Sequence, residues 1–163
     1  DGAGAVILKP SSEMGIISCH LGSDGQYKDL LCYPIGPSKD LHKAGSSDAK
    51  LLMSGNEVFK VAVRTLGKLA EKTLRDNGID QDKLDWLVPH QANMRIIKAT
   101  AKRLKLPLSK VILTVQDHGN SSSASIPMAL DVGIEDGRIQ RGQLILMEGF
   151  GGGFTWGSIL MRY

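Results

Sequence analysis

The sequence predicts a layered α/β protein. Three observations carry that reading. Short β-type runs alternate with amphipathic helical stretches along most of the chain. The longest helical stretch carries start and stop signals at its ends. Two strand-like runs also end in the same way, in a polar turn that opens a helix. With 163 residues, 42% of them hydrophobic, the chain is long enough to bury a core.

The elements follow in order. Residues 5–8 and 15–21 are apolar, strand-like runs, and residues 36–48, rich in Gly, Pro, Ser and Asp, read as a loop. Over residues 55–77, Val58, Val61, Ala62, Leu66, Leu69, Ala70 and Leu74 recur at three- and four-residue steps, the spacing of an amphipathic helix. Ser54 and Glu57 have the spacing of a capping box, and Asn77-Gly78 supplies a C-terminal stop. A strand at 86–88, a helix from about 93 to 105, a strand at 111–115 and a helix after Ser121 continue the alternation. Pro127 must fall in the first turn of that last helix, where a missing N–H does little harm. Strands at 144–148 and 154–162, separated by a glycine cluster, close the chain.

Composition excludes several functions. A net charge of +3 is too small for a dense nucleic-acid-binding surface. Cys19 and Cys32 form no C-x-x-C pair and have no metal-ligand spacing around them, which points to a reducing, cytoplasmic location and no metal. No apolar run approaches the ~20 residues that a membrane-spanning helix needs. The chain opens on Asp1-Gly2-Ala3-Gly4 directly before an apolar run, so it is expected to be part of something longer.

Four constellations could carry chemistry. In Val88-Pro89-His90-Gln91-Ala92-Asn93, a strand ends at proline and presents a histidine just before a helix. Such strand ends are where α/β sheets concentrate ligand chemistry, although a lone histidine can equally be a hydrogen-bonded core residue. Asp117-His118-Gly119-Asn120-Ser121-Ser122-Ser123 repeats that placement, and taken alone it reads as a turn and helix cap. Together the two would bring an imidazole and a carboxamide to one sheet edge, as donors to a developing oxyanion. Gly149-Phe150-Gly151-Gly152-Gly153-Phe154 has the wrong spacing for a phosphate loop and precedes a strand. It reads as a tight hairpin, a backbone approach to substrate, or both. Finally Arg95, Lys98, Lys102 and Lys105 fall within about 80° of a helical wheel, opposite Ile96, Ile97, Ala101 and Leu104. That stripe is either a solvated face or a dock for an acidic protein.

At these residues the sequence resembles the β-ketoacyl-acyl carrier protein synthase III family of thiolase-like condensing enzymes. The matching segments are VPHQANMRII at 88–97, HGNSSSASIP at 118–127 and GFGGGFTWG at 149–157, with DGAGA at 1–5 and MSGNEVF at 53–59. The resemblance implies a thiolase-like layered α/β/α/β/α architecture of which residues 1–163 are the C-terminal half. The nucleophilic cysteine then belongs to an N-terminal half, and Cys19 and Cys32 are incidental. It implies that His90 and Asn120 are catalytic, that Gly152 contributes to an oxyanion hole, and that Gly55, Asn56 and Phe59 line a channel for coenzyme A or phosphopantetheine. It places Lys60, Arg95, Lys102 and Arg103 in an acyl carrier protein dock.

The implied activity is decarboxylative Claisen condensation of acetyl-CoA with malonyl-acyl carrier protein to acetoacetyl-acyl carrier protein, which initiates type II fatty acid synthesis. No permanently bound cofactor is implied. The expected partners are the N-terminal half, acyl carrier protein and a second copy in a homodimer, with no nucleic acid and no membrane. A relative with a different acyl primer, or a non-catalytic acyl carrier or coenzyme A-binding subunit, is the alternative.

Overall fold

The computed structural model describes residues 1–36, 38–43, 46 and 49–163. Of the loop expected over 36–48, positions 37, 44, 45, 47 and 48 lie outside the described residues, and the remainder is turns and bends. The central sheet comprises β1 (Ile16–Ser23), β4 (Trp86–Pro89), β5 (Leu144–Gly151) and β6 (Thr155–Arg162) in the order β1-β6-β5-β4. β4 and β5 run parallel, and β5-β6 and β6-β1 are antiparallel. Two short strands, β2 (Leu31–Cys32) and β3 (Leu52–Met53), pair separately.

Alternation along β5 divides the core, because successive side chains point to opposite faces. Leu144 and Leu146 join Ala70, Leu74, Ile97, Ala101 and Leu104 from α1 (Gly55–Asp76) and α2 (Met94–Arg103 with its cap). Ile145 joins Val88, Ile112 and Ala129 on the other face, under α4 (Ser125–Glu135). The sheet is therefore covered on both sides, which explains why its central strand reads as a continuous apolar run. All seven periodic residues of the long helical stretch are buried. Its C-terminus is a double-bonded cap: Gly78 N–H donates to Arg75 C=O at 3.0 Å and Ile79 N–H to Leu74 C=O at 3.0 Å. Gly78 supplies the left-handed φ of +64° that this cap requires.

Several expectations are corrected. Residues 5–8 are not a strand; Ile7 is 95% exposed and no described residue offers them a ladder. The expected strand at 111–115 is reduced to one parallel bridge, Leu87 to Val111, and Val115 already opens the short helix α3 (Val115–His118). The capping box at Ser54 does not form: the serine makes no side-chain cap bond, and Glu57 instead accepts from Lys60 at 2.9 Å. After Ser121 a 3-10 turn intervenes before α4, with Pro127 in the first turn of the α-helix as expected. Lys105 lies beyond the end of α2 at φ +50°, completing the same kind of cap as Gly78, so it leaves the basic stripe.

Candidate active site

β4 ends at Pro89, whose ring removes an N–H from the ladder just where the chain must leave the sheet. The next residue, His90, is fastened back by its own N–H, which donates to the Glu148 C=O of β5 at 2.8 Å. The ring is then set by Ser125 at the start of α4. Ser125 Oγ accepts the Gln91 N–H at 3.1 Å and lies 2.6 Å from His90 Nδ1. With the Gln91 amide spent on the hydroxyl oxygen, the arrangement that satisfies every group has the serine proton donated to Nδ1. That leaves Nε2 as the protonated, donating nitrogen. Burial holds the His90 pKa below its ordinary 6.5, so the imidazole is neutral at pH 7.

Gln91 explains both the lost strand and the position of the second loop. Its fully buried side chain donates to Pro89 C=O at 2.8 Å and Ile112 C=O at 3.1 Å. Its carbonyl oxygen accepts the Thr114 and Val115 amides at 2.9 and 3.1 Å. One carboxamide thus replaces the ladder that would have continued from Val111, and it turns the chain toward Asn120. The Asn120 Oδ1 accepts Ser122 N–H at 3.1 Å, which leaves its NH₂ group as the outward donor. Gly2 and Gly4 let the N-terminal segment pass close to Ser121, Met128 and Pro127 beside this loop.

His90, Asn120 and Gly152 line one cleft of about 1170 Å³, together with Gly55, Asn56 and Phe59 from the start of α1. The glycine cluster is the turn between β5 and β6, paired as far as Gly151 and Thr155, so β5 runs three residues beyond the expected strand. A Cβ on Gly152 would sit 3.2 Å from the Leu31 carbonyl oxygen of β2, a close approach that only glycine makes without displacement. Behind it Phe154 is fully buried, edge-on to Phe150 and stacked on Tyr27.

The basic residues divide. Arg95 also lines the cleft, with its guanidinium 5.0 Å from the Phe59 ring centroid, a cation–π distance. Lys102 is exposed on α2, whereas Lys60 pairs with Glu57 at the surface. Arg103 is committed to Glu71 of α1 through two hydrogen bonds at 2.9 and 3.2 Å, and that partner holds the Glu71 carboxyl below its ordinary range. A side chain at Gly67 would run into Arg103. Its charge is thus balanced within the fold.

Residues 74–163 match the family described as 3-oxoacyl-[acyl-carrier-protein (ACP)] synthase III C terminal. The chain belongs to this family. Over 163 residues it is 58% identical to the β-ketoacyl-[acyl-carrier-protein] synthase III of Alkalilimnicola ehrlichii, matching all of this chain and 50% of that protein. Identity to the synthase III of Xanthomonas euvesicatoria pv. vesicatoria is also 58%, again over half of that protein. The crystal structure of the synthase III from Pseudomonas aeruginosa superposes with a TM-score of 0.84 at 36% identity, covering 96% of this chain and 47% of that one. The Aquifex aeolicus enzyme gives 0.82 at 36% identity, covering 95% and 46%. The chain therefore spans about half the length of the synthases it matches, and it shares their thiolase-like fold.

Sequence reasoning missed four residues around the site. Gln91 and Ser125 lie within the matched segments, but their roles depend on contacts between segments. Cys32, treated as incidental, lines the cleft on β2. Glu148 is 1% exposed in the middle of β5. A single acid on the buried face of an otherwise apolar alternation was its visible signal.

Proposed function

We propose that this chain is the carbonyl-binding half of a condensing enzyme that joins an acyl primer to a malonyl thioester with loss of carbon dioxide. The observation that carries this reading is the meeting on one cleft of His90, whose Nδ1 is engaged by Ser125, and Asn120, whose carboxamide oxygen is engaged by the Ser122 amide. His90 Nε2–H and the Asn120 amide donate to the thioester carbonyl oxygen of the malonyl group. Cleavage of the carboxylate C–C bond releases carbon dioxide and leaves its electron pair as the enolate, whose negative oxygen the same two donors hold. The enolate carbon then attacks an acyl thioester on a cysteine supplied by the other half, and a thiolate leaves. The Gly152 backbone lies where a second oxyanion, that of the acyl group, is received.

Gly55, Asn56 and Phe59 form the wall along which a phosphopantetheine arm reaches these donors, from coenzyme A or from acyl carrier protein. Arg95 and Lys102 are the cationic residues that meet an acidic carrier. Lys60 and Arg103 contribute less, because Glu57 and Glu71 already balance them. The primer is acetyl-CoA and the complete enzyme is a cytoplasmic homodimer in this reading. In the enzyme carrying both halves, His90→Ala is expected to lower malonyl-thioester decarboxylation about 10²- to 10³-fold, the usual effect of one lost oxyanion donor. An unchanged rate would overturn the assignment.

A further inference from the structure

Glu148 occupies a place where an acid is costly. Period-two alternation puts its side chain on the same face of β5 as Leu144 and Leu146, beneath α1 and α2. It is 1% exposed, and neither carboxyl oxygen has a hydrogen-bond partner among the described residues. Its register neighbours are Pro89 on β4, which has no N–H to offer, and Ser158 on β6, whose hydroxyl is engaged with Thr73 of α1 at 2.7 Å. Other polar groups of this layer include Thr100 on α2, Ser18 on β1 with its partner Asn77 and, one strand further along the row, His20 on β1, which lies 4.0 Å from Asp76 of α1. None of these groups is hydrogen-bonded to either carboxyl oxygen.

The backbone of the same residue carries the site. The Glu148 C=O receives the His90 N–H, and the chain continues from it directly into Gly149, Phe150, Gly151 and Gly152 on the cleft wall. We propose that Glu148 is a positioning residue that acts in its uncharged form: the stretch of β5 on which both His90 and the Gly152 turn depend keeps its place only while the unpartnered carboxyl stays buried. Burial alone pushes its pKa up to about 8, so the acid is neutral below that pH and ionises above it. Ionisation draws the side chain toward water. It loosens the stretch of β5 that fastens His90, and the site acquires an alkaline limit set by a residue that never touches substrate.

The kinetic consequence rests on the function proposed above; the coupling between Glu148 and His90 does not. The test uses the enzyme carrying both halves, labelled with ¹⁵N in its histidine rings, with the His90 signals assigned by their loss in His90→Ala. His90 itself titrates below 6.5, so any step in its resonances near pH 8 reports a neighbour. The wild type should show that step and Glu148→Gln, which keeps the shape and neutrality of the protonated acid, should not. Malonyl decarboxylation should fall about tenfold per pH unit above the same midpoint in the wild type only. No step in the wild type, the same step in Glu148→Gln, or a Glu148→Gln protein that does not fold would each overturn the proposal. A wild type that decarboxylates at no pH would sink the functional reading instead, while the His90 titration would still decide the role of Glu148.

Discussion

At the scale of single residues, the site is built by committing one end of each functional group so that the other end is free. Ser125 fixes His90 Nδ1, and the Ser122 amide fixes Asn120 Oδ1. The first arrangement sets the tautomer, which no sequence pattern encodes. Ser125→Ala should therefore lower decarboxylation about tenfold, the equivalent of ~1.4 kcal/mol and of one ordinary hydrogen bond, with little change in KM. A fall in KM-limited rate alone would indicate a binding role instead. Linkage has opposite signs at the two buried acid–base groups. His90 is depressed, so the stability associated with its burial is lost as pH falls below 6.5, where the unfolded chain takes up the proton. Glu148 is raised, so stability is full below about 4.5 and declines as pH rises toward about 8, by ~1.4 kcal/mol per unit in that window.

At the scale of elements, local pattern and tertiary context agree where an element owns its bonds. Helix α1 does so throughout, and its periodic face, its stop at Gly78 and its start near Gly55 were all legible. The run at 111–115 does not, since a strand must borrow its ladder from a neighbour. Pro89 and the Gln91 side chain withdraw that ladder after Val111. Replacing Gln91 with leucine, which is close in volume, leaves the Thr114 and Val115 amides without their acceptor. It should cost about 3 kcal/mol in denaturant unfolding of the complete enzyme and displace the Asn120 loop along with His90. A variant with unchanged stability would show that the clamp is dispensable. Cap chemistry behaves similarly: Ser54 and Glu57 have the right spacing for a box, but the Ser54 N–H is given to Leu30 C=O at 2.8 Å and Glu57 to Lys60.

At the scale of the whole molecule, residues 1–10 are exposed along their entire length, and Val6, Ile7, Leu8 and Leu21 are each at least 64% exposed. β1 also forms one edge of the sheet. Exposed apolar residues and an open strand edge each recruit other chains unless something covers them. This chain expressed alone should self-associate in light scattering, and co-expression with the preceding half should suppress that; a stable monomer would show that the face is already sufficient in water. The sequence alone determined the layered α/β class, the long helix, and the three motifs that bring His90, Asn120 and Gly152 to one cleft. It could do so because hydrophobic periodicity and turn chemistry are local, and because two of the motifs adjoin strands, β4 before His90 and the β5–β6 turn at Gly152. Tertiary structure alone decided which nitrogen of His90 carries the proton and that Arg103 is spent on Glu71. It alone decided that Cys32 faces the cleft and that Glu148 is buried without a partner. Each of those depends on hydrogen bonding and desolvation between segments distant in the chain, which no local pattern records.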